Sequence, residues 1–314
     1  MTDVAQHRVE RHQSHYGWDH STEPCLVVAP GDVVEFDTID ASGGQLSPAS
    51  TVDDVARFDF SRVNPAFGPV YVEGARPGDA LQVTILDLET ADWGWTANIP
   101  GFGLLAGGFT EPALHLWRVD PETLAPASYG PGGRVPLKPF PGIMGVAPHE
   151  PGPHSVVNPR RVGGNIDTRD IAVGSTFLLP IEVAGALFSC GDGHAAQGDG
   201  EICGTALETP MRITVRLDVL RDAHVRWPRF TTPGPVTRHL DEHGYAVTMG
   251  IAQDLLEAAR IAAREMVQLI SAGHAMSELD AYLLCSVCAD LRISEVVDEP
   301  DWIVSLYFPR VVFA

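Results

Sequence analysis

The sequence predicts an α+β protein, mostly β, with a β-sandwich or barrel-like core and a C-terminal helical α/β portion. Three observations carry this. Gly 31 and Pro 25 make 56 of the 314 residues, about 18% where ordinary usage is about 12%, and both residues punctuate chains at turns between short elements. Apolar residues alternate with the strand period of two along most of the chain, and only the C-terminal fifth changes to helical spacing. A hydrophobic share of 45% against 20% charged gives ample core and argues against disorder.

Residues 1–20 carry His7, His12, His15 and His20 among polar residues, which suits a solvated, partly frayed terminus better than a metal-binding arm. "CLVVAPGDVVEFDTID" and "YVEGARPGDALQVTILDLE" place apolar runs on either side of Pro30-Gly31-Asp32 and Pro77-Gly78-Asp79, and each reads as a hairpin turn between strands. Residues 131–159 hold eight prolines and read as an ordered loop or a set of edge strands that could reach over a pocket. Residues 171–189 are β-branched and apolar, and in "MRITVRLDVL" Ile213, Val215, Leu217 and Val219 alternate toward one face. Ile251, Leu255, Leu256, Ala259, Ala262, Met266, Leu269 and Ile270 then follow a helical spacing that Gly273 ends. Ser277 with Asp280 suggests a capping box before a second helix, "AYLLCSVCADL", and "WIVSLYFP" closes as a strand.

At about 150 residues per domain the length suggests two domains: residues 1–165 as an N-terminal β-rich domain and 166–314 as a β-rich then α/β domain, with interweaving allowed. Lys+Arg 21 against Asp+Glu 41 leaves a net charge of -20, which repels a phosphate backbone, so nucleic acid is excluded as a partner. No apolar run is long enough to span a bilayer, so no membrane partner is expected. Five cysteines, an odd count without a cationic-then-apolar leader, point to a reducing cytoplasm.

Chemistry concentrates in "CGDGHAAQGDGEICG", residues 190–204, where glycines separate Asp192, His194, Gln197, Asp199 and Glu201. Glycine at this density costs backbone entropy, and close approach to a ligand would explain it. The block lies within a stretch from Asp170 to Met211 that has no Lys or Arg but holds Asp170, Glu182, Asp192, Asp199, Glu201 and Glu208. Carboxylates without cationic partners repel one another unless they are solvated, as in an acidic hairpin, or share a metal ion. The D-x-H pattern with further acids suits a divalent ion such as zinc that keeps a position open for water. It is not an EF-hand. Two further islands, "RRVGGNIDTRD" with Asn165 and Asp167 and "EFDTIDASGGQL" with Asp37 and Asp40, read either as turns with Asx-type hydrogen bonds or as opposite walls of the same site.

Four segments, "FDTIDASGGQL", "GVAPHEPGPHSVVNPRRVGGNID", "SCGDGHAAQGDGEICGTALE" and "AYLLCSVCADLRISEVV", together resemble the acetamidase/formamidase family, and the likeness runs from about Val27 to about Phe308. The resemblance implies a metal-dependent hydrolase of small primary amides such as formamide and acetamide, releasing ammonia, on a β-rich fold with an appended α/β region. It also implies a homo-oligomer, with a dimer favoured by the base rate for soluble enzymes. Some relatives open lactam rings, so γ-lactam hydrolysis is the alternative. Asp37 stands where the family resemblance leads one to expect Glu, and His149 and the histidine-rich first 20 residues are not family features.

Amide hydrolysis needs a strong nucleophile, an oxyanion stabiliser and a proton for the leaving ammonia, and a metal-activated water covers the first two. On this basis Asp40, Asp167, His194 and Asp192 are assigned as metal ligands, with zinc the favoured ion, manganese or iron(II) also admitted by mixed carboxylate and histidine ligands, and calcium a candidate at a second site. Glu201 is the general base, His194 belongs to the catalytic set, and Gln197 and Asn165 orient the amide. His154 is a further ligand or proton shuttle, or a structural histidine. Trp93, Trp95, Phe102, Phe109 and Trp117 are candidates for the pocket wall, with core packing the expected fate of most.

A rival mechanism would use Cys203 as nucleophile with Lys138, the chain's one lysine, but a small buried cysteine is the simpler reading. Cys285 and Cys288 form a C-x-x-C without a second pair, which suits core packing better than zinc. A non-catalytic, metal-dependent binding module is the alternative from another class. Glu201 beside a histidine-containing set favours chemistry, because a calcium-binding module needs only oxygen ligands.

Overall fold

A computed structural model describes residues 6–314. The alternating strand Met211–Leu220 lies inside a six-stranded sheet ordered Gln6–Val9, Val33–Asp37, Met211–Leu220, Ala80–Thr90, Thr176–Pro180, Arg229–Thr231. Its Met211, Ile213, Val215 and Leu217 are buried while Arg212 is exposed, the expected result of burying one face of a period-two strand. A nine-stranded sheet packs against that face, so that Phe36, Val83, Ile85 and Phe177 share a core with Phe67, Met144, Phe188 and Cys190. Among the described residues no barrel closes, and the architecture is a sandwich with an added layer.

The second sheet runs Gly163–Asn165, Phe140–Gly145, Phe188–Ala196, Leu207–Glu208, Trp93–Asn98, Ala113–Arg118, and Ala66–Val72 also pairs with Phe188–Ala196. Every residue of Phe188–Ala196 is buried, because the sheet also contributes Trp117, Ala195 and Leu207 to a second core beneath the C-terminal helices. Those helices, Leu255–His274 and Glu278–Cys288, accompany a three-stranded antiparallel sheet in which Trp302–Pro309 lies between Tyr245–Ala252 and Asp290–Glu295. Strands from both sides of residue 165 lie side by side in both large sheets. Among the described residues, no helix is long and apolar enough to cross a membrane.

Several local expectations change. The two P-G-D turns are not hairpins: Leu26–Val28 and Ala66–Val72 belong to the nine-stranded sheet, whereas the strands that follow each turn, Val33–Asp37 and Ala80–Thr90, belong to the six-stranded one. Each turn carries the chain between layers. In both, the aspartate accepts the N–H three residues back, Ala29 to Asp32 at 3.0 Å and Arg76 to Asp79 at 3.3 Å. Of the expected frayed terminus, residues 1–5 lie outside the described residues, and residues 6–20 are packed: Gln6–Val9 pairs in parallel with Val33–Phe36 and both Val9 and Trp18 are buried. His7 and His15 are spent on Asp32 and Ser189, each at 2.9 Å.

Ile251 belongs to the strand Tyr245–Ala252, and the helix begins at Leu255 under an Asp254 cap that accepts the Glu257 N–H. It runs past Gly273 to His274 and ends at Ala275 with φ 51°. Within the proline-rich stretch, Phe140–Gly145 is an inner strand, not an edge; the outer strand Gly163–Asn165 pairs only with Ile143, Met144 and Gly145 and so leaves Pro141 free of it.

His239 is held down to about 4, first by burial and then by Arg169 and Lys138, whereas a histidine in the unfolded chain titrates near 6.5. The unfolded chain therefore binds a proton that the folded chain refuses, and this contribution to stability is lost as pH falls from about 6.5 toward about 4. His239→Gln should lose less of its melting temperature than the wild type between about pH 7 and pH 5; superimposable profiles would contradict the assignment.

Candidate metal centre and its pocket

Asp192 and His194 are two residues apart on the strand Phe188–Ala196, which sends both side chains from one face of the sheet. On one flank, Phe140–Gly145 pairs Pro141 with Gly193 and Ile143 with Gly191, bringing Gly142 beside Asp192. A Cβ at Gly142 would stand 2.6 Å from both Asp167 Oδ1 and Asp192 Oδ2. The missing side chain is the space in which those carboxylates meet. On the other flank the register sets His194 opposite Glu208 and slips before Ala196, so Glu208 joins the same face as a cross-strand neighbour. Asp167 arrives from the segment after Gly163–Asn165, where the N–H groups of Ile166 and Asp167 donate to the Gly142 carbonyl at 3.0 and 3.3 Å. Glu201 comes from the loop that follows the strand.

Asp167, Asp192 and Glu201 all sit in the left-handed region, at φ 42°, 57° and 42°. Each such non-glycine residue costs roughly 1 kcal/mol or more. Three of five clustered residues in this conformation mark a place where geometry is held against local preference.

Asp167 Oδ1, Asp192 Oδ1, His194 Nε2 and Glu208 Oε2 are buried atoms without a hydrogen-bond partner. They point at one another: His194 Nε2 lies 3.2 Å from Asp192 Oδ1 and 3.1 Å from Glu208 Oε2. Two ligand atoms on a tetrahedral zinc ion, each about 2.0–2.1 Å from it, stand roughly 3.3 Å apart, so the observed spacing fits. The potential ligand atoms form two overlapping groups, Asp167-Asp192-His194 and His194-Glu201-Glu208, each within 4.8 Å.

The electrostatics agree with the geometry. Loss of solvent, followed by the Asp192 charge, raises the Asp167 carboxyl well above the usual range. Burial raises Glu208 too, against the opposing pull of His194. Glu201 is raised by loss of solvent and then by Asp167. For His194, burial acts downward but the Glu208 and Asp192 carboxylates together outweigh it, and its pKa lies well above the ordinary value. Among the described residues, His194 is the one cationic group within ion-pair distance of these acids. The residues present fit a divalent cation.

Gln197 fixes how His194 presents itself. The Gln197 Nε2 donates to the Asp167 carbonyl at 2.8 Å, so its Oε1 must be the atom 2.9 Å from His194 Nδ1. That oxygen can only accept, so Nδ1 carries a proton, and Nε2 is the nitrogen that would exchange its own proton, shared with the carboxylates, for a metal ion. Asn165 works similarly, donating to Asp167 Oδ2 at 2.7 Å and accepting from Asn64 at 3.1 Å. Both residues, expected to orient substrate, are hydrogen-bonded to members of the cluster, Gln197 to His194 and Asn165 to Asp167; Asn165 also lines the pocket.

The structure thus brings together Asp167, Asp192, His194 and Glu201 of the residues singled out from sequence, and adds Glu208. It does not bring Asp40 among them: Asp40 Oδ1 accepts from Trp95 Nε1 at 2.8 Å and from the Ser42 N–H at 2.9 Å, anchoring a wall of the pocket. Asp37 is held by Arg8 and Arg11. His154 pairs its strand with Gly17–Trp18 and contacts the Glu150 carbonyl at 3.1 Å. A surface group of His149, Glu150 and Glu182 also exists, with Arg161 bound to Glu182.

The glycines of the 190–204 block serve protein packing. A Cβ at Gly191 would meet the Pro65 carbonyl, one at Gly193 the Met211 side chain, and one at Gly198 the backbone of Ala289. Cys203 is buried, with its thiol pushed up to about 11 by burial, and Lys138 is engaged by Asp170 at 2.5 Å and the Val236 carbonyl at 3.0 Å. Neither is poised for nucleophilic catalysis. Cys285 and Cys288 are buried in the helical core.

A cavity of about 60 Å³ adjoins the cluster, lined by Asp192, Glu201 and Glu208 together with Phe58, Phe60, Trp95 and Phe102. Of the five aromatic candidates, Trp95 and Phe102 line it, whereas Phe109 stacks on Tyr282 and Trp117 packs on Tyr129.

The acetamidase/formamidase family model matches residues 2–158 and 152–314. The chain belongs to the acetamidase/formamidase family. It is 26% identical to a formamidase of Methylophilus methylotrophus over 96% of this chain and 89% of that protein. Among solved structures, an acetamidase from Bacillus halodurans is 32% identical with a TM-score of 0.68, covering 98% of each chain. A gamma lactamase from Delftia acidovorans has a TM-score of 0.90 at 25% identity, covering 98% of this chain and 93% of its own. Family membership identifies an amidohydrolase of β-rich α+β architecture.

If Gln197 sets the tautomer of a ligand, Gln197→Leu should weaken divalent-metal affinity by about 10- to 100-fold in a chelator-competition titration. An unchanged affinity in a folded variant would contradict that role.

Proposed function

We propose that this amidohydrolase cleaves small linear primary amides to a carboxylate and ammonia at the Asp167-Asp192-His194-Glu208 cluster, with zinc as the ion and Glu201 as general base. The observation that carries the reading is the convergence of four buried, partnerless ligand atoms from four residues. An ion held there would supply positive charge against the clustered acids, lower the pKa of water toward about 7 and polarise an amide carbonyl.

The chain's own groups do the rest. Glu201 lies within the same ligand-atom group as His194 and Glu208 and also lines the pocket, so it can take a proton from the attacking water and return it to the departing nitrogen. Asp192 and Glu208 face both the cluster and the pocket. The aromatic wall lowers the local polarity around a bound amide, which strengthens each electrostatic interaction within. A second reading, opening of a cyclic amide, draws on the TM-score of 0.90 to the Delftia gamma lactamase; the same groups would act on a ring amide.

Ammonia release from formamide and acetamide tests the reading. The wild type should release ammonia, lose activity on chelation and regain it with zinc. Glu201→Gln should retain bound metal while turnover falls about 100-fold or more, and Cys203→Ala should remain active. Wild-type turnover in Glu201→Gln would remove Glu201 as the base, and activity indifferent to chelation would overturn the metal mechanism.

A further inference from the structure

The pocket wall contains two rings whose placement core packing does not explain. Phe60 is 52% exposed and Phe102 37% exposed, and neither belongs to a hydrophobic core cluster. They come from separate segments, the short turn Phe60–Arg62 and the loop after Ile99, yet their rings meet edge to face at 6.3 Å and both line the cavity beside Glu201. Large aromatic surface left in water at the mouth of a site calls for a use there.

Phe102 is also fixed to the loop that carries Glu201. The Leu104 N–H donates to the Ile202 carbonyl at 2.8 Å. Tyr282 ties the same two loops, its hydroxyl accepting from the Leu105 N–H at 2.9 Å and donating to the Ile202 carbonyl. The Phe102 ring lies against Gly204, at φ 84°, where any Cβ would collide with it. The ring is a seated wall, and its distance from Glu201 is built into the backbone.

We infer that Phe102, with Phe60 beside it, is the specificity-determining wall that limits this enzyme to the shortest acyl groups, with formamide preferred to acetamide and lactam rings excluded, which decides against the cyclic-amide reading. This rests on the amide-hydrolase reading of the same site. The cavity of about 60 Å³ is far below the roughly 300 Å³ at the low end of ordinary ligand pockets. A cavity of about 150 Å³ admits benzene, so about 60 Å³ corresponds to roughly two or three non-hydrogen atoms. Formamide has three, acetamide four and a five-membered lactam six.

The test compares kcat/KM for formamide, acetamide, propionamide and 2-pyrrolidinone in the zinc-loaded wild type, Phe102→Ala and Phe60→Ala. The wild type should rank formamide first and leave propionamide and the lactam nearly untouched. Phe102→Ala should raise the propionamide-to-formamide ratio by about 10-fold or more, the scale of one or two methylenes in a pocket. Phe60→Ala, at a half-exposed position, supplies a second variant should the first fail to fold, and its ratio should move the same way. Ratios unchanged within about 2-fold in folded variants, or a wild type that takes propionamide or lactam as well as formamide, would overturn the inference while leaving amide hydrolysis in place. A metal-loaded wild type that releases ammonia from neither formamide nor acetamide and opens no lactam would instead remove the amide-hydrolase reading and the inference with it.

Discussion

The repulsion among Asp167, Asp192, Glu201 and Glu208, gathered around one histidine with no lysine or arginine in reach among the described residues, is the constraint on which the rest of the structure depends. An uncompensated charge removed from water costs several kcal/mol, and a domain is stable by only about 5–15 kcal/mol in total. Four such acids cannot all ionise in that space unless a cation joins them. The surrounding backbone nonetheless forces them together, through the missing side chain at Gly142, the register slip after His194 and three left-handed acidic residues. The strain at the three left-handed residues is sustained by the packing of two cores.

The C-terminal α/β portion acts as a base for the loop that holds Gln197 and Glu201. Arg169, buried, forms a two-point pair with Asp290, whose Oδ1 also accepts the Asp199 N–H at 3.1 Å, and its Nη1 lies 3.4 Å from the Gln197 carbonyl. From the helix Glu278–Cys288, the Ser286 carbonyl accepts the Gly198 N–H at 2.9 Å and its hydroxyl accepts the Cys203 N–H at 3.1 Å. Glycine at 198 is what lets the loop lie on Ala289. A buried, bidentate arginine pair is costly to desolvate but specific in geometry, and here it joins the first element after the third layer's helices to the residues that orient His194. The helical appendage thereby contributes to the position of atoms in the middle sheet.

Much of this was legible in the sequence, for physical reasons that also explain what was not. Asp192, His194 and Glu201 stand out because acids among glycines, without cations, have few structural explanations; Asp167, flanked by Arg160, Arg161 and Arg169, is marked only by the Gly163-Gly164 pair before it. Glu208 lies in the same cation-free stretch but carries no local mark, since its role depends on the strand pairing that sets it opposite His194. Gly142 is equally silent, because only the neighbouring strand shows what its missing side chain makes room for. The glycines of the 190–204 block were visible, but density alone cannot tell close approach to a ligand from close approach to Pro65, Met211 or Ala289. Asp40 shared the acid-and-glycine signature, yet its hydrogen bonds go to Trp95 and Ser42. At the third layer, Val247, Met249 and Ile251 already alternate with period two and are exposed together; helical spacing from Ile251 onward competes with that pattern, and Asp254 as cap decides between them.

Whether the buried acids and His194 hold a metal is read by titrating zinc into chelator-treated protein while measuring bound metal and thermal unfolding, in the wild type and in Glu208→Gln. The wild type should take up stoichiometric zinc and melt at a higher temperature, and the variant should show markedly weakened uptake with a smaller shift. A wild-type protein that takes up no divalent ion, and whose unfolding is indifferent to zinc, would contradict a metal site there.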